Sequence, residues 1–210
     1  MICAYDESYI VGAQRILGDM YDYAVNKMKY SLSEFQKLFL VSPISREFAK
    51  GNPMYVAGMN GCEVAKCVIE DCTGHRPVLA DEMEMDKSPE YWIGWSLAYY
   101  QWERDISFKE IEAACPVEEM YGMYKTLHEA DISLFIDVVD EKMSKYKMES
   151  SLRRLRRYAE MTQKYLAETS DVPLRQIQLF EQGQRDIKKC QAQTVKQLAK
   201  TMKCSIEDLL

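Results

Sequence analysis

A chain of 210 residues has the length of one or two domains, and 47% hydrophobic with 29% charged residues excludes disordered, collagen-like and low-complexity classes. No stretch approaches the ~18 uninterrupted apolar residues of a membrane span. The start, MICAYDESYI, carries acids where a signal peptide needs bases, so a cytoplasmic chain is expected. Seven cysteines without a CxxC pair predict reduced, mostly structural thiols, and two histidines rule out a histidine-rich metal site. Neither a metal nor a cofactor is implied.

The net charge of −6 is unevenly spread. Residues 1–140 hold 12 bases and 24 acids, a net of −12, whereas 141–210 hold 15 and 9, a net of +6. Two modules with different partners are therefore expected, since a basic module can sit against phosphates and an acidic one is repelled from them.

Helical periodicity dominates, and the expected fold class is all-α. The stripe Tyr9, Ala13, Ile16, Leu17, Met20, Ala24 and Met28 predicts a first helix over 7–29. Ser31 with Glu34 has capping-box spacing and opens a second helix through Leu40, which Ser42-Pro43 ends or redirects. Gly51-Asn52-Pro53 and the glycines at 58 and 61 make 51–60 a loop. A helix is expected over 62–72, then a polar, acidic surface loop over 73–87. Ser88-Pro89-Glu90 is a strong helix start, and the segment it opens, YWIGWSLAYYQWE, is aromatic nearly all round, which suits the centre of a core. Ser107 with Glu110 caps a helix over 107–114. After Pro116 another covers 117–126. His128-Glu129-Ala130-Asp131 then opens a last helix with Leu134, Phe135, Val138 and Val139 as its apolar face. This gives an acidic multi-helix domain over 1–140 and a helical or flexible connector over 141–151.

Residues 152–210 read as five short helices: 152–160; 163–169, capped by Thr162; 173–182, closed by Gly183; 192–203; and a final turn capped by Ser205. A helix–turn–helix needs a small residue where its helices cross, an apolar plug after the turn, an apolar inner face and a polar outer one. Ala167, Val172, and Ile177 with Phe180 fill the first three roles.

This segment resembles the Xre (Cro/CI-repressor-like) helix–turn–helix family. Gln163, Leu166 and Ala167 match its Q-x-x-L-A. Glu181 and Gly183 match its E-x-G, with Arg185 following, and Leu198-Ala199-Lys200 with Ile206 through Leu210 matches its closing L-A-K … I-E-D-L-L. The resemblance implies a five-helix, lambda-repressor-like domain over 152–210 that binds a double-stranded DNA operator. Gln163 would bond a backbone phosphate. Leu174, Arg175, Gln178 and Leu179 would face bases, Arg175 suited to guanine and Gln178 to adenine. Arg156 and Glu181 would form the family's internal ion pair, and Arg185, Lys188 and Lys189 are phosphate candidates. The chain departs from the pattern in several places. Asp171 stands for a turn glycine, Pro173 for a capping Ser or Thr, and Leu174 and Leu179 for polar readers, and the loop at 186–191 is long. One such domain buries too little surface for tight specific binding, so a homodimer reading half-sites about 34 Å apart is expected.

Segments 51–61, 88–102 and 127–137 resemble helical modules of antitoxin-like Xre proteins found beside ADP-ribosyltransferase-like toxins. That resemblance implies an antitoxin or autorepressor whose N-terminal part binds and neutralises a protein partner. An alternative is a ligand-sensing repressor with Trp92, Trp95, Tyr99, Tyr100 and Trp102 lining an effector pocket. An enzyme is not expected. His128, Glu129 and Asp131, with Glu103 and Asp105, are acid/base residue types, but no phosphate-binding glycine loop, nucleophile elbow or metal-ligand spacing accompanies them. Cys62, Cys67 and Cys72, five apart on a helix, point in different directions.

Overall fold

Apolar residues at three- and four-residue steps make one face of helix α1 (Ile10–Asp22), where Ala13, Leu17, Met20 and Tyr21 are fully buried. In the computed structural model, which describes residues 3–82, 86–148 and 150–210, every regular element is helical, and no strand occurs among the described residues. By contacts the chain divides into two units, Met1–Met143 and Ser144–Leu210. No helix among the described residues is long and apolar enough to cross a membrane.

The helical run that the stripe predicts over 7–29 is found over 7–27, in three joined parts. A short 3-10 turn, Glu7–Tyr9, capped by Asp6, precedes α1, and a π-helical turn, Tyr23–Lys27, continues it. Helix α2 (Leu32–Val41) opens on the Ser31/Glu34 capping box. Ser42-Pro43 redirects the chain by starting a new helix, α3 (Pro43–Ala49), with Pro43 in its first turn. The expected loop at 51–60 contains a second π-helical turn, Met54–Gly58. Helix α4 (Gly61–Thr73) begins with a further box, Asn60/Glu63, and ends on Gly74 in the left-handed region. Helix α5 (Pro89–Arg104) carries the aromatic segment. It is followed by α6 (Phe108–Ala114) and α7 (Val117–Leu127). Helix α8 (Ile132–Met148) runs through most of the expected connector; Glu149 lies outside the described residues, as do 83–85 of the 73–87 loop.

Two expectations around α8 are corrected. His128 closes α7 instead of opening α8: its backbone N–H donates to the Tyr124 carbonyl, and Asp131 starts the next helix by accepting from Ser133 N at 2.9 Å. The buried face of α8 is Phe135, Ile136, Val139 and Met143, whereas Leu134 is 48% exposed.

The N-terminal unit centres on the packing of α1 against α5, with α4 also on α1. Glycine permits both approaches. A Cβ on Gly94 would lie 2.3 Å from the Leu17 carbonyl oxygen, and one on Gly61 would lie 2.6 Å from Met20 N. Because backbone blocks the space at position 94, Gly94→Ala is expected to cost about 1–3 kcal/mol by overpacking. A urea titration followed by tryptophan fluorescence would show it as a lower midpoint; an unmoved midpoint would contradict the close packing.

Buried polar groups tie the helices together. Tyr21 Oη donates to Gln36 Oε1, and Gln36 Nε2 donates to Glu112 Oε2 at 2.8 Å. Glu112 also accepts from Val117 N at 3.2 Å, and burial pushes its carboxyl above the ordinary range. Arg104 forms a bidentate pair with Asp140 (Nε–Oδ1 3.1 Å, Nη2–Oδ2 2.8 Å), which fastens α5 to α8. The non-helical stretch after α4 is tacked down: Tyr23 Oη donates to the Ala80 carbonyl at 2.8 Å, and Lys66 Nζ donates to Leu79 O and Asp81 Oδ1.

The second unit contains α9 (Ser151–Tyr158), α10 (Gln163–Ser170), α11 (Leu174–Glu181), a 3-10 turn (Ile187–Lys189) and α12 (Ala192–Met202). Ser205 and Asp208 bond reciprocally, which closes a last turn. The core is Leu152, Leu166, Val172, Ile177, Phe180, Val195, Leu198, Ala199, Met202 and Leu209.

Candidate nucleic-acid interface

The site is built around the turn between α10 and α11. Thr162 caps α10 by accepting from Tyr165 N at 3.0 Å. At its end Asp171 takes the left-handed conformation, φ 56° and ψ 30°. Asp stands that backbone better than most residues, so the turn closes without glycine. Val172 is buried directly after it, and Ala167 packs against the same core. Pro173 precedes α11 with its φ fixed at −54°, but supplies no side-chain cap.

A buried charge cluster holds α11 to its neighbours. Arg156 on α9 pairs bidentately with Glu181 at the end of α11, Nε–Oε1 at 2.6 Å and Nη2–Oε2 at 3.0 Å. The side chains are 12% and 2% exposed. Arg156 Nη1 also donates to the Met161 carbonyl at 2.7 Å, which anchors the link between α9 and α10. Gln163, at the start of α10, donates through Nε2 to Glu181 Oε2 at 2.7 Å. Side chains from α9 and α10 thus meet at Glu181 on α11. A carboxamide NH₂ has two protons, of which Glu181 engages one.

The inner face of α11 is buried through Ile177 and Phe180. Its outer face carries Leu174, 37% exposed, and Arg175, also exposed, with Gln178 and Leu179 half-buried. Helical geometry places these four on one side. Beyond Gly183, at φ 68°, Arg185 is exposed with its guanidinium 5.8 Å from the Phe180 ring centroid. Lys188 and Lys189 lie exposed in the 3-10 turn that Asp186 caps. The long 186–191 loop is thus partly ordered as a turn, and it adds cations on the C-terminal side of α11. No family model, no curated protein and no solved structure matches the chain.

Of the residues of the enzyme reading, His128, Asp131 and Glu103 have local partners, although Glu103 Oε2 is buried without one. His128 Nδ1 lies 2.7 Å from the Tyr124 carbonyl, which can only accept, so Nδ1 carries the proton there. Its ring stacks on Tyr124 at 4.4 Å. The Asp131 carboxyl caps α8, and that backbone bond from Ser133 holds it below the usual carboxylate range. Glu103 lies 3.2 Å from Arg104. The aromatic helix divides its rings between two places. Trp92 and Trp95 face a cavity, while Trp102 Nε1 donates to Tyr5 O at 2.8 Å, with Tyr99 beside it, and Tyr100 Oη donates to Asp140 Oδ1.

None of the seven cysteines is in a disulfide. Burial pushes the Cys62 thiol up to about 11 and that of Cys115 up to about 12, which keeps both protonated at neutral pH. Cys67 receives a bond from Arg76 Nη1 at 3.2 Å, and Cys72 donates to the Leu38 carbonyl at 3.3 Å, so these two α4 thiols meet different neighbours.

Proposed function

We propose that residues 152–210 are an Xre-type helix–turn–helix domain that binds a double-stranded DNA operator, in a cytoplasmic transcriptional regulator that represses its own operon. The observation that carries this reading is the contrast between the two sides of α11. Its inner side is locked by Phe180, Ile177 and the Arg156–Glu181–Gln163 cluster, while Leu174 and Arg175 remain open to solvent. A reading helix needs that combination, because base edges are recognised only by side chains held in register and free of protein partners.

In this reading Gln163 donates its second amide proton to a phosphate, and Arg185, Lys188 and Lys189 supply charge along the backbone. Arg175 bonds a guanine edge, Gln178 pairs with adenine, and Leu174 and Leu179 meet thymine methyls. The protein acts as a homodimer on paired half-sites. The acidic N-terminal unit is kept off DNA by its charge and binds a protein partner. The resemblance to antitoxin-like modules points to an ADP-ribosyltransferase-like toxin as that partner, which the chain would neutralise.

A gel shift with the gene's own upstream DNA tests the operator claim. At ~150 mM salt the upstream duplex is expected to bind at least about 10³-fold more tightly than a random duplex. Equal retardation of both would refute it. Co-expression with the product of the adjacent gene tests the partner: a complex that retains the N-terminal unit is expected, and its absence would remove the antitoxin role while leaving the operator claim intact.

A further inference from the structure

Within the N-terminal unit, the start of α5, the end of α7 and the start of α8 surround an open cavity of about 390 Å³. That volume lies in the range of small-molecule sites. Its walls are aromatic: Tyr91, Trp92 and Trp95 from α5, Tyr124 from α7 and Phe135 from α8. The rings brace each other edge to face, Trp92 with Tyr124 at 5.8 Å and with Phe135 at 5.4 Å. This fixes a slot whose polar groups are few.

Carboxylates stand behind the polar lining of the cavity: Asp19 takes Lys87, Asp22 accepts from Ser88 Oγ, and Glu129 lies beside His128. Residues 1–140 hold twice as many acids as bases, yet no carboxylate lines the cavity among the described residues. The charged side chain that does is Lys87. Its ammonium stands 4.1 Å from the Tyr91 ring centroid and 3.0 Å from Asp19 Oδ1. His128 adds an imidazole whose Nε2 lies 3.7 Å from Glu129. An ammonium has three protons, and Asp19 takes one. An incoming cation would meet Lys87 as a like charge over a ring face already occupied, whereas an anion would share Lys87 with Asp19 and take its remaining protons.

We propose that this cavity binds a planar aromatic carboxylate, its ring held between the indole and phenol walls and its carboxylate paired with Lys87. The inference makes the ligand-sensing alternative specific. It concerns a different unit from the operator claim, so neither depends on the other.

Calorimetric titration of the full chain with indole-3-acetate, tryptamine and cyclohexylacetate separates charge from planarity. Indole-3-acetate is expected to saturate at one site per chain and to bind at least about tenfold tighter than either of the others. Lys87→Gln, at an exposed position, is expected to bring indole-3-acetate within about threefold of tryptamine. Ala130→Phe, which fills the cavity, is expected to abolish binding; should that variant lose its helical circular dichroism, Lys87→Gln alone decides. The proposal is overturned by the absence of saturable indole-3-acetate binding, by tryptamine binding equally well or better, or by a Lys87→Gln chain that keeps the wild-type preference.

Discussion

Glu181→Ala is expected to cost the C-terminal unit about 3–5 kcal/mol, because it removes both carboxylate bonds of a mostly buried guanidinium. Glu181 is 2% exposed and accepts from Arg156 twice and from Gln163 once; Arg156 is 12% exposed. A loss of that size is a large part of the ~5–15 kcal/mol that stabilises a typical domain. The placement of the tryptophans makes the measurement selective. All three (Trp92, Trp95 and Trp102) lie before Ser144, so indole fluorescence reports the N-terminal unit while far-ultraviolet circular dichroism reports both. In urea, Glu181→Ala should lose part of its helical signal at a lower denaturant concentration, with the fluorescence transition unmoved. Arg156→Met combined with Glu181→Leu should recover most of the loss, since an apolar pair leaves no charge to desolvate. A single variant with unchanged dichroism would show that the cluster does not brace the unit.

If α11 reads DNA as proposed, removing Arg175 and Gln178 should have a comparable effect. Arg175→Ala with Gln178→Ala deletes two side chains suited to bidentate base contacts, each worth about 1–3 kcal/mol of discrimination. If the two contributions add, preference for the operator over random duplex falls by about 2–6 kcal/mol. Binding to random duplex should change far less, because only one positive charge is removed and non-specific affinity comes from the charges near phosphate. Competition gel shifts with labelled operator and unlabelled random DNA give the ratio directly. A parallel loss on both duplexes would place α11 on the backbone instead of in the groove.

Local signals were the legible ones. The cap residues Ser31, Ser88, Ser107 and Thr162 each start a helix, because a cap needs only the backbone three residues on. The all-α class follows from periodicity and scarce breakers. The closeness of Arg156 and Glu181, 25 positions apart, came from family resemblance, as no short-range pattern encodes it. The bond of Gln163 to Glu181 was not visible at all: a motif position says where a residue sits on its helix, not that a carboxylate waits across the turn.

Other features have no local signature. The π-helical turns at Tyr23–Lys27 and Met54–Gly58 depend on how the flanking helices are seated, and their composition is ordinary. Helix α3 is one of the shortest, with little room for a periodic stripe. Leu134 fits an apolar face on the helical wheel but lies on the solvent side of α8. The tethering of Leu79–Asp81 by Lys66 and Tyr23 joins residues far apart in the chain, so that stretch reads as free loop from its polarity. The aromatic slot needs three elements brought together; from sequence its rings are indistinguishable from core, which is what Tyr100 and much of Trp102 became.

The absence of side chains at Gly61 and Gly94 bears on how such a chain can diverge. Each lets a neighbouring helix come within reach of the α1 backbone, so no rotamer change can make room for an added methyl group. Drift there must proceed by sliding whole helices, with compensating changes at Leu17, Met20 and the aromatic segment in the same step. Across distant relatives, these two positions should be among the slowest to vary in the acidic half, ahead of many larger core residues whose losses can be filled by repacking.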